Sequence, residues 1–190
     1  MPTEKMLDWV AKHYGKNARE RTDNWGKLLQ DDSGTDLQKL TRVNDFFNQI
    51  PYLSDQANWQ QVDYWASPIE TLSVNAADCE DYAIAKYFTL TEIGIEPDRL
   101  RIMYVKAIEL DEAHMVMTYF DKESRQQLVL DNLNKAILPT DQRPDLIPIY
   151  SFNADGLWAS VDRGRGVRLG DAGRLNLWAA LRRKMEEEDL

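Results

Sequence analysis

One cysteine and two histidines in 190 residues leave this chain few ways to do chemistry. A lone thiol makes neither an intrachain disulfide nor a multi-cysteine zinc site, so Cys79 is core filler, redox sensor or catalytic nucleophile. Positive charge is scarce too. With 23 Lys and Arg against 32 Asp and Glu, the net charge is -9, a balance that repels nucleic acid and anionic membranes. No apolar run exceeds strand length, so no transmembrane span is expected. Residues 162–173 hold four of the nine glycines but no Walker lysine or Rossmann spacing, and read as a flexible loop rather than a phosphate cradle. An EF-hand loop and internal repeats are absent as well.

What is present suits one compact domain over residues 1–190. Apolar residues make up 43% of the chain, enough to bury a sizeable core. Helical spacing of apolar residues is seen over 3–14, 17–31 and 35–50, the last with Leu37, Leu40, Val43, Phe46, Phe47 and Ile50 before Pro51 ends it. A further helix is expected over 79–93, stopped by Gly94. Strands follow near 101–108, 113–120, 126–131, 147–153 and 156–160, with the polar Asp121-Lys122-Glu123-Ser124 as a hairpin loop. Leu175 to Glu188 reads as a C-terminal helix whose acidic end, Glu186 to Asp189, opposes the helix dipole and is expected to fray. The fold class is therefore α+β.

A cysteine nucleophile needs an imidazole to take its proton and return it to the leaving group. His13 sits before Gly15 at the end of an amphipathic segment, a place that suits a helix C-terminus. His114 opens Ala113-His114-Met115-Val116-Met117-Thr118-Tyr119-Phe120, a run that reads as a buried strand, and is the better base. The next strand-like run, Gln127 to Leu130, ends in Asp131-Asn132, where a carboxylate is placed to orient the imidazole. Cys79, His114 and Asp131 thus fall at a helix start, on a strand and at a strand end. Taken singly, each has a structural explanation: a buried small hydrophobe, a satisfied core histidine, a turn residue. Together they point to catalysis.

The cysteine lies in Ala76-Ala77-Asp78-Cys79-Glu80-Asp81-Tyr82. A helix N-terminus favours a thiolate and offers free amides to an oxyanion. Asp78, Glu80 and Asp81 pull the other way, raising the thiol pKa unless a cation neutralises them. A hard divalent cation such as calcium, taking oxygen ligands in irregular geometry, is a natural candidate. The alternative is that these acids only cap the helix, with Asp78 as N-cap. Upstream, Trp59 to Pro68 holds two of the six tryptophans, read mainly as core. Trp65 or a neighbour is a candidate for the cleft wall or an oxyanion donor.

The order of Cys, His and Asp, with the run Asp78-Cys79-Glu80-Asp81-Tyr82-Ala83, resembles the bacterial transglutaminase-like cysteine proteinases of the papain and transglutaminase superfamily. The resemblance extends through Leu100 to Val105, Ala113 to Val116, Leu130 to Asn132 and the tract from Asn44 to Trp65, so it covers most of the chain. It implies N-terminal helices and a nucleophile helix packed on an antiparallel sheet. It also implies calcium dependence, with Asp78 and Glu80 as ligands and Asp81 as a further one. The expected substrate is a large, LapA-like biofilm adhesin cut at an Ala-Ala-containing site near its N-terminus. The expected regulator is a LapD-like inner-membrane receptor for cyclic di-GMP, for which exposed aromatics on the N-terminal helices are candidate contacts.

Met1 to Met6 shows no basic region followed by an apolar stretch, which read literally implies cytoplasm; the resemblance implies the periplasm. Two other functions use the same residues. A transglutaminase would pass the acyl group to an amine instead of water, and a non-catalytic calcium-binding module would keep the scaffold without turnover.

Overall fold

The computed structural model describes residues 1–159, 166–172 and 175–188. Seven α-helices and seven strands occur among them: α1 Glu4–Tyr14, α2 Lys16–Leu29, α3 Asp36–Phe47, α4 Asp55–Asn58, α5 Pro68–Val74, α6 Cys79–Glu92, β1 Leu100–Ala107, β2 Glu112–Phe120, β3 Gln127–Leu130, β4 Leu138–Pro139, β5 Leu146–Phe152, β6 Leu157–Ala159, β7 Val167–Gly170 and α7 Asn176–Glu188. The strands form one antiparallel sheet in the order β4-β3-β2-β1-β5-β6-β7. This is the α+β architecture expected from the sequence.

The helix that begins at Cys79 is the centre of the molecule. Tyr82, Ala83, Ile84, Ala85, Lys86, Tyr87, Thr89 and Leu90 of α6 are all buried, so it has no solvent face of the usual amphipathic kind. One core cluster joins α6 to α2 and α3 through Trp25, Leu40, Val43 and Phe47, and to the sheet through Ile102, Met115, Met117, Leu130 and Phe152. A smaller cluster of Met103, Val105, Val116 and Val129, with Leu146, comes from the alternate positions of the same strands, as the two-residue repeat of a strand requires. Gly94 ends the helix at φ +90, a backbone conformation that other residues adopt only with strain.

Besides the unexpected two-residue β4, three parts of the chain depart from the sequence expectations. Helices α4 and α5 arise in a stretch that carries no long apolar period. The second is started by Ser67 and Pro68 with a capping box to Glu70. Within the glycine-rich 162–173, Val167–Gly170 is not loop but the edge strand β7, paired with β6; residues 162–165 and 173 lie outside the described residues, as does Ser160 of the expected 156–160 strand. The end of α7 does not fray up to Glu188, because the Ser67 hydroxyl donates to Glu188 Oε1 at 2.8 Å. Lys184 anchors the same helix, its Nζ bonding the Trp65 carbonyl, the Tyr64 hydroxyl and Glu70. Among the described residues, no helix is long and apolar enough to cross a membrane.

Leu90 is wholly buried on α6, so Leu90→Ala is expected to lower unfolding free energy by about 2–5 kcal/mol through lost contacts and a residual cavity. Urea unfolding followed by tryptophan fluorescence measures it, with Leu37→Ala, at an exposed site on α3, as the near-neutral control.

Candidate active site

The start of α6 is fixed by the chain that precedes it. Leu53 donates its amide to the Ala77 carbonyl at 2.9 Å and Ala77 donates to the Pro51 carbonyl at 3.2 Å, a short parallel bridge that sets the direction from which the helix begins. Asp78 is the N-cap, and its amide donates to Asp81 Oδ2 at 3.4 Å. Cys79 follows as the first helical residue, partly buried. Its thiol donates to Glu80 Oε2 at 2.9 Å, and the backbone amide of Met115, next to His114, also acts on the sulfur. Burial pushes the thiol pKa far up; the adjacent Glu80 adds to this, while the Met115 amide opposes it.

His114 and Asp131 are brought together as antiparallel pairing of β2 and β3 requires. His114 Nε2 lies 2.7 Å from Asp131 Oδ1, with both residues buried. The same oxygen accepts the Leu133 amide at 3.1 Å. Asp131 Oδ2 accepts from Arg143 Nη2 at 2.7 Å. Burial would raise the Asp131 pKa, but the bonds from His114 and Arg143 outweigh it and hold the carboxylate at about 2. The Asp131 carbonyl is tied down too, by Asn48 Nδ2 at 2.9 Å and Lys86 Nζ at 3.2 Å. Lys86 is fully buried on α6, and burial lowers its pKa to about 7. Of the three expected catalytic residues, then, His114 and Asp131 are directly bonded, whereas the thiol is turned toward Glu80, the neighbouring carboxylate.

The three acids expected to hold a metal do not stand alone. Carboxylate oxygens of Asp55, Asp78 and Asp81 lie within 4.8 Å of one another, and so do those of Asp55, Asp63 and Glu80. Asp55 and Asp63 were not singled out in the sequence: they stand on a short helix and loop well before Cys79, and only folding delivers them. Loop 64–66 orders the group from outside. The Tyr64 amide donates to Asp55 Oδ2 at 2.5 Å and the Ala66 amide to Asp81 Oδ1 at 2.8 Å.

Burial raises the Asp78 pKa to about 10, with Glu80, Asp81 and Asp55 adding like-charge repulsion. Burial raises Asp81 to about 8, against the opposing bond from Ala66. Asp78 Oδ1 is buried with no hydrogen-bond partner among the described residues. An all-oxygen donor set with an orphaned carboxylate oxygen fits a hard divalent cation. Trp65 is largely core, its ring stacked on Phe152 with centroids 5.6 Å apart, and its Nε1 has no partner among the described residues.

Residues 9–165 match the family model for bacterial transglutaminase-like cysteine proteinase BTLCP. The chain belongs to this family. Among solved structures it is similar to Legionella pneumophila LapG, at 38% identity over 95% of this chain and 96% of that one, with a TM-score of 0.81. Two further structures of that protein, EGTA-treated and calcium-bound, match with TM-scores of 0.82 and 0.80 at 39% and 38% identity, each over 95% of this chain and over 96% and 98% of theirs. Comparison with curated proteins gave no match. Membership in the bacterial transglutaminase-like cysteine proteinases makes this protein a cysteine protease of the LapG fold.

The acid cluster gives a signed expectation. Asp78 and Asp81 bind protons more tightly in the fold, at about 10 and about 8, than in the unfolded chain, where a carboxyl titrates at about 3.9. Stability with calcium chelated should therefore fall as pH rises from about 4 toward 8. Added calcium should raise Tm more at pH 7.5 than at pH 5, because it binds the ionised acids. Thermal denaturation across pH with EGTA and with calcium checks both signs.

Proposed function

We propose that this protease is an endopeptidase in which Cys79 is the nucleophile, His114 the general base and acid, and Asp131 the group that orients His114. The observation that carries the reading is the His114 Nε2–Asp131 Oδ1 bond of 2.7 Å. With Nε2 committed to the carboxylate, Nδ1 is the nitrogen left to exchange a proton with the thiol, whose helix packs against β2. In the reaction, His114 takes the thiol proton and Cys79 Sγ attacks the scissile carbonyl carbon. The C–N bond then breaks as the imidazolium protonates the departing amine, leaving a thioester. His114 next deprotonates a water that attacks the thioester, releasing the acid and the thiol. Free amides in the first turn of α6 are suited to the oxyanion. Asp131, held at about 2, stays ionised throughout and stabilises the imidazolium.

Asp78, Glu80 and Asp81 are proposed to hold calcium, with Asp55 and Asp63 as further donors from the same cluster. Bound there, the ion supplies positive charge that offsets the repulsion among these acids and fixes the start of α6. The proposed substrate is the N-terminal region of a large, LapA-like cell-surface adhesin, released from the cell by cleavage, and the proposed compartment is the periplasm. A LapD-like inner-membrane receptor for cyclic di-GMP is the proposed regulator. Family membership, the likeness to LapG and the known calcium-bound form of that protein support these assignments.

The test is cleavage of a purified adhesin N-terminal fragment with calcium, with EGTA and with Cys79→Ala. Cys79→Ala is expected to keep its fold and calcium binding while losing activity by on the order of 10,000-fold or more, and EGTA should abolish product in the wild type. Cleavage by the alanine variant would remove Cys79 from the mechanism. Incorporation of an added amine in place of hydrolysis would make the enzyme a transferase.

A further inference from the structure

The Asp131 carboxylate has a second buried partner that the three-residue scheme does not use. Arg143 is 3% exposed and lies at the end of the turn that leads into β5. Its Nη2 donates to Asp131 Oδ2 at 2.7 Å and to Asp145 Oδ2 at 2.7 Å, and its Nε donates to Asp145 Oδ1 at 2.9 Å. With His114 and Leu133 on Oδ1, both oxygens of Asp131 are engaged from opposite sides. A carboxylate bonded on one oxygen alone turns about its own axis; one held on both does not.

Charge is balanced in the same arrangement. A buried guanidinium against Asp131 alone would cancel the negative charge that stabilises an imidazolium. Asp145, whose side chain is 35% exposed, neutralises that guanidinium. The set Asp131, Arg143 and Asp145 therefore carries one net negative charge, as an isolated Asp131 would, but with its orientation fixed. Lys86 bonds the Asp131 carbonyl rather than the carboxylate.

We infer that Arg143, charge-balanced by Asp145, is a positioning residue that locks the Asp131 carboxylate and thereby holds His114 in the Nε2–H tautomer with Nδ1 free. This rests on the catalytic reading above for its effect on rate, but not for its effect on the imidazole. Lysine is a poor substitute, since a point charge with no planar fork does not span both carboxylates.

The test uses the full chain labelled with 15N-histidine. Only two histidines are present, so His13→Gln assigns the spectrum. The wild type is expected to show His114 protonated at Nε2, with a downfield proton from the bond to Asp131. In folded Arg143→Met that signal is expected to vanish or become a tautomer mixture, while kcat on a fluorogenic peptide containing an Ala-Ala bond falls about 100-fold and KM stays within about twofold. Arg143→Lys should recover part of kcat, and Asp145→Asn should keep the tautomer while lowering kcat about 10-fold by leaving the guanidinium unbalanced.

An unchanged tautomer and kcat in Arg143→Met overturns the inference. So does a loss of kcat in Arg143→Met with its tautomer intact. If Arg143→Met fails to fold, Arg143→Lys and Asp145→Asn carry the comparison, and a wild-type kcat in both overturns it. Should Cys79→Ala retain cleavage while Arg143→Met still loses the tautomer, the catalytic reading fails and the positioning role stands.

Discussion

The crowding of carboxyl groups, most of them buried, at the start of α6 is the constraint on which the site depends. Four carboxylates, Asp55, Asp78, Glu80 and Asp81, converge where a helix that is buried on nearly all sides begins. The helix N-terminus attracts anions, but its partial charge is about half a unit, too little to offset several acids out of water. The fold answers with amides: Tyr64 and Ala66 donate to Asp55 and Asp81 from a loop, which Lys184 of α7 grips through the Trp65 carbonyl. The far end of the chain thus supports its chemical centre.

A second buried carboxylate, Asp131, meets the opposite environment. Where burial, with crowding by like charge added, drives Asp78 to about 10, Asp131 receives His114, Arg143 and the Leu133 amide and is held at about 2. Burial acts upward on both aspartates; like charge adds to it at Asp78, and the hydrogen-bond donors overcome it at Asp131. The first environment suits a cation; the second suits a permanent anion beside an imidazole. Both are tied to α6, one through its first turn and one through Lys86, so the relative placement of the two centres is set by a single rigid element.

That coupling gives the central helix its unusual composition. Lys86 and Asp81 would be poor choices for a purely structural buried helix, since each must be desolvated and then satisfied. Each is satisfied by chain that is distant in sequence: Lys86 by Asn48 Oδ1 and the Asp131 carbonyl, Asp81 by the Ala66 amide. Polar groups placed this way fix the register of α3, loop 64–66 and the β3 exit against the helix. Apolar packing, which has no direction, would not do so.

The α+β class, the four longer N-terminal and central helices and the central strands were legible in the amino-acid order, because apolar periods of 3.6 and 2 are local properties. That order also singled out Cys79, His114 and Asp131, since scarcity of cysteine and histidine leaves few combinations, and Asp78, Glu80 and Asp81, which adjoin the cysteine. Short α4 and α5, the two-residue β4 and the edge strand β7 were not legible: none has the length to show a period, and β7 is set by pairing with β6. Folding was needed to bring Asp55 and Asp63 into the acidic cluster, to turn the thiol to Glu80, and to set Arg143 and Asp145 behind Asp131. These are contacts between side chains brought together by folding, and their distances depend on packing angles that no local pattern encodes.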